Sequence, residues 1–363
     1  MKITIKFFIL IFCWAHDSNA ISQSSPPNLI VITADGLRWQ EIFNGTDDKL
    51  LSYLPNDQMT LVQNQGTQSR EVLMPFVWNT FSHYANLFGN RNHENYVNTR
   101  NYHRFSYPGY SEIFCGVFDP FVDSNNKNYN KNVTVLEELN QHYNYKNHVA
   151  VFSSWEVFPY IFNAPRSRIM VNAGWSQINV GMITPEISRL NNLIAKLNST
   201  KEETRHDHLT WQMALEYAKA NHPKVLYISS DETDHYGHKA DYVSYIKAIT
   251  RFDQFLSSVW DLIQSDSFYK DNTYLLITTD HGRGSTTSTW RNHGLLPVRS
   301  GETWYMEYGP GIQAKGEIVT PMQKFQASLA YKMADYLDFK FVAHKLPLTI
   351  ERPSEALLVS SKQ

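Results

Sequence analysis

Six Asp and His residues stand beside glycines or in short clusters of the kind that bind metal ions. They are Asp35, Asp234, His238, Asp280, His281 and His293. Carboxylate and imidazole groups are ligands of zinc, whereas a calcium site takes mostly oxygen ligands. A single Asp-Gly is more often a turn, and a lone His is more often structural. The six together are enough for two ions, and they predict a site for two divalent metal ions, with zinc the best fit.

Ser106 is the candidate nucleophile. Pro108 fits the first turn of a helix, and a helix that begins there directs its positive N-terminal end at Ser106. Such an end favours an alkoxide and an anionic substrate. Taken locally, a helix-capping role for Ser106 is the more common one. The catalytic interpretation therefore depends on the metal ligands elsewhere in the chain.

The elements that must position these residues follow from apolar patterning. Four short runs rich in β-branched residues predict buried parallel strands at 29–33, 149–152, 225–228 and 274–278. Apolar stripes at helical spacing predict helices at 242–263, 209–220 and 325–337, and polar composition predicts surface loops at 123–132 and 191–200. Alternating strands and helices indicate an α/β fold with a mostly parallel central sheet and helices on both faces. Sites in such folds lie at the carboxyl ends of strands, which is where Asp35 and Asp280 stand.

The N-terminus has the order of a secretory signal peptide. Lys2 and Lys6 precede an apolar run at 7–14, and the segment ends in a small-x-small pattern at 18–20. A buried N-terminal strand or helix is the alternative. We expect residues 1–20 to be a signal peptide, residues 21–363 to form a single catalytic domain, and the product to be exported, either periplasmic or secreted. With 363 residues, 42% of them hydrophobic, the chain can build such a core.

Cysteine count, charge and hydropathy exclude several classes. Of the two cysteines, Cys13 lies in the signal segment, so Cys115 has no partner for an intrachain disulfide. The net charge of −2 gives no nucleic-acid-binding signature. No apolar stretch after the signal segment reaches the length of a membrane span. The sequence does not indicate an oligomeric state.

At these residues the chain resembles the alkaline phosphatase superfamily, most closely its nucleotide pyrophosphatase/phosphodiesterase branch. Five motifs occur in that family's order: Asp35 after a strand, Ser106-Tyr107-Pro108, Asp234 to His238, Asp280-His281-Gly282, and His293-Gly294. The resemblance implies that one zinc is held by Asp234, His238 and His293. It implies that the other is held by Asp35, Asp280, His281 and the Ser106 oxygen. It further implies hydrolysis of a small phosphorylated substrate through a covalent phosphoserine.

One departure from the family leaves the substrate open. The phosphodiesterase branch commonly has Asn three residues after the nucleophile, where this chain has Gly109. Phosphate contacts must then come from the backbone or from other residues, and the candidates are Arg38, Arg104, Arg283 and Arg291. Whether the substrate is a phosphate monoester or a diester is not decided.

Three rival functions share parts of this pattern. A sulfatase matches Ser106 and Pro108, but the arginine of its signature would stand at Tyr110, and its calcium site is richer in oxygen ligands. An isomerase of the phosphoglycerate mutase type has similar metal ligands, but its usual cytoplasmic setting conflicts with a signal peptide. A non-catalytic metal-binding protein is the third alternative, and the presence of all six metal-ligating residues disfavours it.

Overall fold

The computed structural model describes residues 25–64, 68–198 and 204–343, so the expected signal peptide lies outside the described residues. The strands are β1 (Asn28–Ala34), β2 (Asn86–Phe88), β3 (Asn95–Asn98), β4 (Val149–Ser153), β5 (Met170–Ala173), β6 (Val225–Ser230), β7 (Thr273–Thr278), β8 (Glu302–Thr303), β9 (Tyr305–Tyr308), β10 (Gly316–Glu317) and β11 (Met322–Phe325). The helices are α1 (Trp39–Asn44), α2 (Asp48–Leu51), α3 (Asn56–Asn64), α4 (Arg70–Leu73), α5 (Pro75–Asn79), α6 (Ser106–Cys115), α7 (Val135–Gln141), α8 (Phe158–Ile161), α9 (Ala164–Ser167), α10 (Pro185–Leu197), α11 (Asp207–Asn221), α12 (Glu232–His238), α13 (Tyr242–Ser265) and α14 (Ser328–Tyr336). None of the helices in these ranges is long and apolar enough to span a membrane.

Eight strands form the central sheet, in the order β10-β2-β9-β7-β1-β6-β4-β5. Neighbours are parallel from β7 through β5, whereas β9 runs antiparallel to both β7 and β2. Three short strands form a separate sheet in the order β11-β3-β8. The mostly parallel sheet predicted from the sequence is confirmed. The antiparallel strands were missed because runs of two to four residues carry too little periodicity to read.

Helices cover both faces of this sheet, as predicted. Along β1, Ile30 and Ile32 pack into one apolar cluster, and Leu29 and Val31 pack into a second. Helix α13 contributes to the first cluster and α6 to the second. Because β1 is buried on both faces, its apolar residues do not alternate with polar ones, and Leu29 to Ile32 form a continuous apolar run.

The predicted elements and the observed ones differ in two places. Residues 191–197, predicted to be a surface loop, belong to α10, because the buried residues Ile187, Leu190 and Ile194 form an apolar stripe at helical spacing. Helix α14 begins at Ser328 rather than at 325, since the preceding residues pair as β11. The other strands and helices predicted above lie within a few residues of their observed bounds, and the loop at 123–132 contains no helix or strand.

Candidate active site

Three adjacent parallel strands bring most of the candidate residues together. Asp35 directly follows β1, Asp280 follows β7, and α12, which carries Asp234, follows β6. The backbone N–H of Gly36 donates to Asp280 Oδ1 at 3.0 Å, and Thr233 Oγ1 donates to the Asp35 carbonyl oxygen at 2.6 Å. The carboxyl ends of the central strands are thus tied to one another. This is the edge where sites in such sheets lie.

Asp35, Asp280 and His281 form the first ligand group, with ligand atoms that all lie within 4.8 Å of one another. Nε2 of His281 lies 3.4 Å from Asp35 Oδ1 and 3.4 Å from Asp280 Oδ2. His281 Nδ1 lies 2.9 Å from the Gly282 carbonyl oxygen, to which it can only donate, so Nε2 keeps its lone pair in the neutral ring. Asp280 Oδ2 is buried and has no hydrogen-bond donor among the described residues. Three potential electron-pair donors therefore converge on one point, and the pair on Asp280 Oδ2 has no hydrogen-bond donor among the described residues.

The electrostatics of this group fit a bound cation. Burial, together with Asp280 and Asp234, raises the pKa of Asp35 well above its ordinary value. Burial likewise raises the pKa of Asp280 to about 8. Burial and the neighbouring His293 hold the pKa of His281 well below its usual range, so its ring is neutral. Two buried carboxylates that repel each other beside a neutral imidazole match the ligands of a divalent metal ion.

Asp234, His238 and His293 form the second ligand group. Nε2 of His238 lies 3.1 Å from Asp234 Oδ2 and 2.9 Å from His293 Nε2, which is 3.7 Å from Asp234 Oδ1. His293 Nδ1 lies 2.9 Å from the Arg104 carbonyl oxygen, and burial lowers the pKa of His293 to about 4. His281 lies between the two groups, because its ligand atom is also within 4.8 Å of those of Asp234 and His293. All six predicted metal ligands therefore come together.

Asp234 differs from the other two carboxylates because it has an arginine partner. Arg283 Nη1 donates to Asp234 Oδ1 in a short ion pair. Burial raises the pKa of Asp234, but Arg283 and His293 outweigh it, so that the pKa lies well below its ordinary value. Asp234 is therefore ionised without a metal, in contrast to Asp280.

Ser106 lies beside the first ligand group. It is the first residue of α6, and its Oγ lies 3.3 Å from Asp35 Oδ1 and 3.2 Å from His281 Nε2. The N-cap position of α6 is occupied by Phe105, not by Ser106. A Cβ at Gly109 would lie 2.6 Å from the Asp280 carbonyl oxygen, so the close approach of α6 to the end of β7 excludes an Asn side chain there.

A cleft of about 620 Å³ opens at Ser106 and extends past both Asp234 and His238. The residues that line it also include Asn125, Lys127, Trp155 and Lys239. Among the described residues that line the cleft, none of the four arginines predicted to contact phosphate appears. Arg38 instead pairs with Glu41 and Asp47 in the interior, and Arg104 Nη1 donates to the Val298 carbonyl oxygen.

Two residues of the site were missed by sequence reasoning. Tyr110 Oη donates to Asp35 Oδ2 at 3.0 Å, one turn of α6 beyond Ser106. Asn125 Oδ1 accepts from the backbone N–H of Tyr107 at 3.0 Å, which holds the residue after Ser106. The helical spacing of 106 and 110 was a readable signal for the tyrosine. Asn125 belongs to a segment that sequence analysis assigned to a surface loop without a functional role.

Comparison with known proteins gives one family match and one curated relative. Residues 189–299 match the family model described as the Metalloenzyme superfamily. The chain is 30% identical over 148 residues to a phosphopentomutase of Shewanella woodyi, which is 40% of this chain. The match spans only about a third of that relative's length, 32%. The residues matched by the family model include Asp234, His238, Asp280, His281 and His293.

Solved structures share the fold at low sequence identity. The alkaline phosphatase PafA has a TM-score of 0.59 and 10% identity, with 89% of this chain and 98% of that chain covered. The lipoteichoic acid synthase LtaP from Listeria monocytogenes has a TM-score of 0.54 and 12% identity, with 86% and 72% covered. A 2-O GAG sulfatase has a TM-score of 0.50 and 11% identity, with 88% and 72% covered. The chain thus has the fold of the alkaline phosphatase superfamily, as its motifs predicted, and its residues 189–299 match the Metalloenzyme superfamily.

Proposed function

We propose that this chain is a metal-dependent hydrolase of phosphate esters that acts through a covalent phosphoserine at Ser106. The observation that carries the proposal is the position of Ser106, which lines the open cleft and whose Oγ lies 3.3 Å from Asp35 Oδ1 and 3.2 Å from His281 Nε2. A hydroxyl that only caps a helix would bond to backbone amides instead.

The two ligand groups would hold two divalent ions, with zinc preferred because imidazoles supply half of the six ligands. Asp35, Asp280 and His281 would hold one ion beside Ser106, and Asp234, His238 and His293 would hold the other. When bound, such ions supply Lewis acidity that lowers the pKa of a hydroxyl and offsets negative charge on a leaving oxygen. The first turn of α6 adds its positive helix end at the same place.

The chemistry balances with the residues of this chain and water. Ser106 Oγ forms a bond to phosphorus while the bond from phosphorus to the leaving oxygen breaks. The proton of the Ser106 hydroxyl ends on the leaving alcohol. Water then forms a new oxygen–phosphorus bond as the Ser106 bond breaks, one water proton returns to Ser106, and phosphate departs.

The decisive experiment replaces the nucleophile and traps the intermediate. We expect Ser106→Ala to lower turnover of a chromogenic phosphate ester by orders of magnitude while both metals stay bound. Acid quench after brief incubation with a ³²P-labelled ester, followed by peptide mapping, should place the label on the peptide that contains Ser106.

Ser111→Ala is the matched control, since Ser111 is buried in the same helix but contacts Asn130 and Cys115. It should keep most of the activity. A Ser106→Ala enzyme as fast as wild type with both metals in place, or a label on another peptide, would remove Ser106 from the mechanism.

A phosphomutase is the second candidate, and the partial match to a phosphopentomutase favours it. The two activities differ in whether phosphate leaves the enzyme. Incubation with a pentose 1-phosphate distinguishes them, because a hydrolase releases inorganic phosphate and a mutase yields the 5-phosphate isomer. Chromogenic monoesters, diesters and sulfate esters in the same panel test the choice of ester, including the sulfatase alternative.

A further inference from the structure

Arg283 is a positive charge fixed inside the candidate metal centre. Its side chain is fully buried. Nε donates to the Trp290 carbonyl oxygen at 2.8 Å, and Nη2 donates to the Arg291 carbonyl oxygen at 2.5 Å. Nη1 donates to Asp234 Oδ1. All three nitrogens of the guanidinium therefore have acceptors, and the third acceptor is a predicted metal ligand.

Two glycines make the room that this guanidinium occupies. A Cβ at Gly237 would lie 2.6 Å from Arg283 Cζ. A Cβ at Gly36 would lie 2.8 Å from Arg283 Nη1 and 2.7 Å from Asp234 Oδ1, and Gly36 has a φ of +60°. Side chains at either position would displace the ion pair. The ion pair of Arg283 and Asp234 is therefore built into the backbone of the site.

The two ligand groups consequently differ in charge. Asp35 and Asp280 bring two carboxylates, and within the described ranges their ion pairs are both with His281, whose ring is neutral. The second group brings one carboxylate, Asp234, and Arg283 already neutralises it. Once both carboxyl groups of the first group have released their protons, a divalent ion meets a charge of −2 there and of about zero in the second group, and charges at such short range inside a protein interact strongly.

We propose that Arg283 makes the two metal sites unequal, so that the Asp35 group binds its ion tightly and the Asp234 group binds its ion at least about tenfold more weakly. The inference rests on the proposed two-metal site. Arg283 is a positioning residue in this scheme: it also fixes Asp234 so that Oδ2 faces His238. Charge repulsion and ligand orientation have opposite effects on affinity, and the proposal is that repulsion dominates.

The test titrates metal-depleted protein with Zn²⁺ alone, followed by calorimetry and by equilibrium dialysis with metal analysis. Wild type should show two classes of site whose dissociation constants differ at least tenfold. Asp35→Asn should abolish the tight class, and His238→Ala should abolish the weak class. Two sites of equal affinity, or a tight site that disappears with His238→Ala, would overturn the proposal.

Two substitutions of Arg283 separate charge from orientation. Arg283→Lys keeps the positive charge and should keep the inequality, whereas Arg283→Met removes the charge and should raise the affinity of the weak class at least tenfold. Weaker second-site binding in a folded Arg283→Met protein, checked by circular dichroism, would show that orientation dominates and would overturn the proposal. If Arg283→Met does not fold, the wild-type titration and the Asp35 and His238 variants still decide.

The metal titration and the phosphate ester assay can fail independently of each other. Unequal binding in a protein that hydrolyses no phosphate ester would refute the hydrolase and leave this inference standing. Hydrolysis by a protein with two equally tight ions would do the reverse.

Discussion

The phenol of Tyr110 donates a hydrogen bond to Asp35, and its removal should lower metal affinity or turnover. Burial, together with Asp280 and Asp35, raises the pKa of Tyr110 well above its ordinary value, so the phenol stays a donor to Asp35 Oδ2. Hydrogen bonds to metal ligands are worth roughly 10- to 100-fold in affinity or activity. We expect Tyr110→Phe to lose about that factor in kcat/KM or in zinc affinity.

Tyr227→Phe is the matched control for this prediction. Tyr227 is equally buried, but its Oη bonds to Thr33 Oγ1 at 2.7 Å rather than to a ligand. The same measurements should show little change. Equal losses in the two variants would mean that Tyr110 acts through packing rather than through Asp35.

Some residues of the candidate site could be predicted from their local sequence, whereas others take their role only from the fold. The convergence of the six Asp and His residues was predictable, because Asp and His beside glycine after apolar runs have few other reasons to recur in that order. The role of Asn125 was not predictable, since an asparagine in a polar loop is ordinary until the fold places it on Tyr107. The one-turn spacing from Ser106 could have indicated Tyr110, but its contact with Asp35 depends on the fold. Lys127 and Lys239 reach the cleft only through tertiary structure.

At the scale of elements, Asp253 joins α13 to the start of α5. Its carboxylate accepts from the backbone N–H groups of Phe76 at 2.8 Å and Val77 at 2.9 Å. Burial raises the pKa of Asp253 to about 6 in spite of those bonds. Because the folded pKa is raised, the associated stability is fully present below about pH 3.8 and is lost as the pH rises through about 6.

The unfolding free energy should report this titration. Measured against Asp253→Asn, which does not titrate, the wild-type free energy of unfolding should fall by about 3 kcal/mol between pH 4 and pH 7. Urea unfolding of both proteins across this range gives the difference and cancels the other titrating groups. A difference that is flat with pH would mean that Asp253 keeps an ordinary pKa in the fold.

Elements with strong periodicity were predictable and short ones were not. The apolar stripe of α13 continues over about six turns, and β1 has four consecutive apolar residues from Leu29 to Ile32. Helix α10 was misassigned because its Asn-rich sequence has weak helix propensity, whereas burial of Ile187, Leu190 and Ile194 against the core overrides that preference. Strands β8 and β10 have two residues each, and they are defined only by pairing with β3 and β2.

For the whole molecule, we expect repulsion between Asp35 and Asp280 to lower the thermal stability of the metal-free protein. In chelator at pH 9, above the pKa of about 8 of Asp280, Asp280→Asn should raise the midpoint of thermal unfolding by a few degrees. Added zinc should stabilise wild type more than this variant, since binding to the folded state adds to stability.

Asp234→Asn provides the contrast. Asp234 is already paired with Arg283, so the same substitution there leaves a buried guanidinium without its partner and should lower the midpoint in chelator. Shifts of the same sign in the two variants would refute the difference in charge between the two groups.

Export is a second prediction for the whole molecule. We expect the mature protein to begin at Ile21, because the small-x-small pattern ends at Ala20. Intact-mass analysis of protein made in an exporting host measures this directly, and a Lys2→Glu, Lys6→Glu variant, which lacks the positive start, should be processed more slowly. A mature chain that retains residues 1–20 would contradict the prediction.

The central place of β1 in the sheet has a consequence for how the chain is made. Leu29 pairs with Val225 on one side and with Tyr274 on the other, so the first strand to be synthesised has no neighbour until most of the chain exists. Until then β1 is a mostly apolar segment with unpaired edges, the type of segment that aggregates. Such long-range pairing also slows folding. We therefore expect the yield on expression to follow the supply of holding chaperones more closely than the stability of the finished fold.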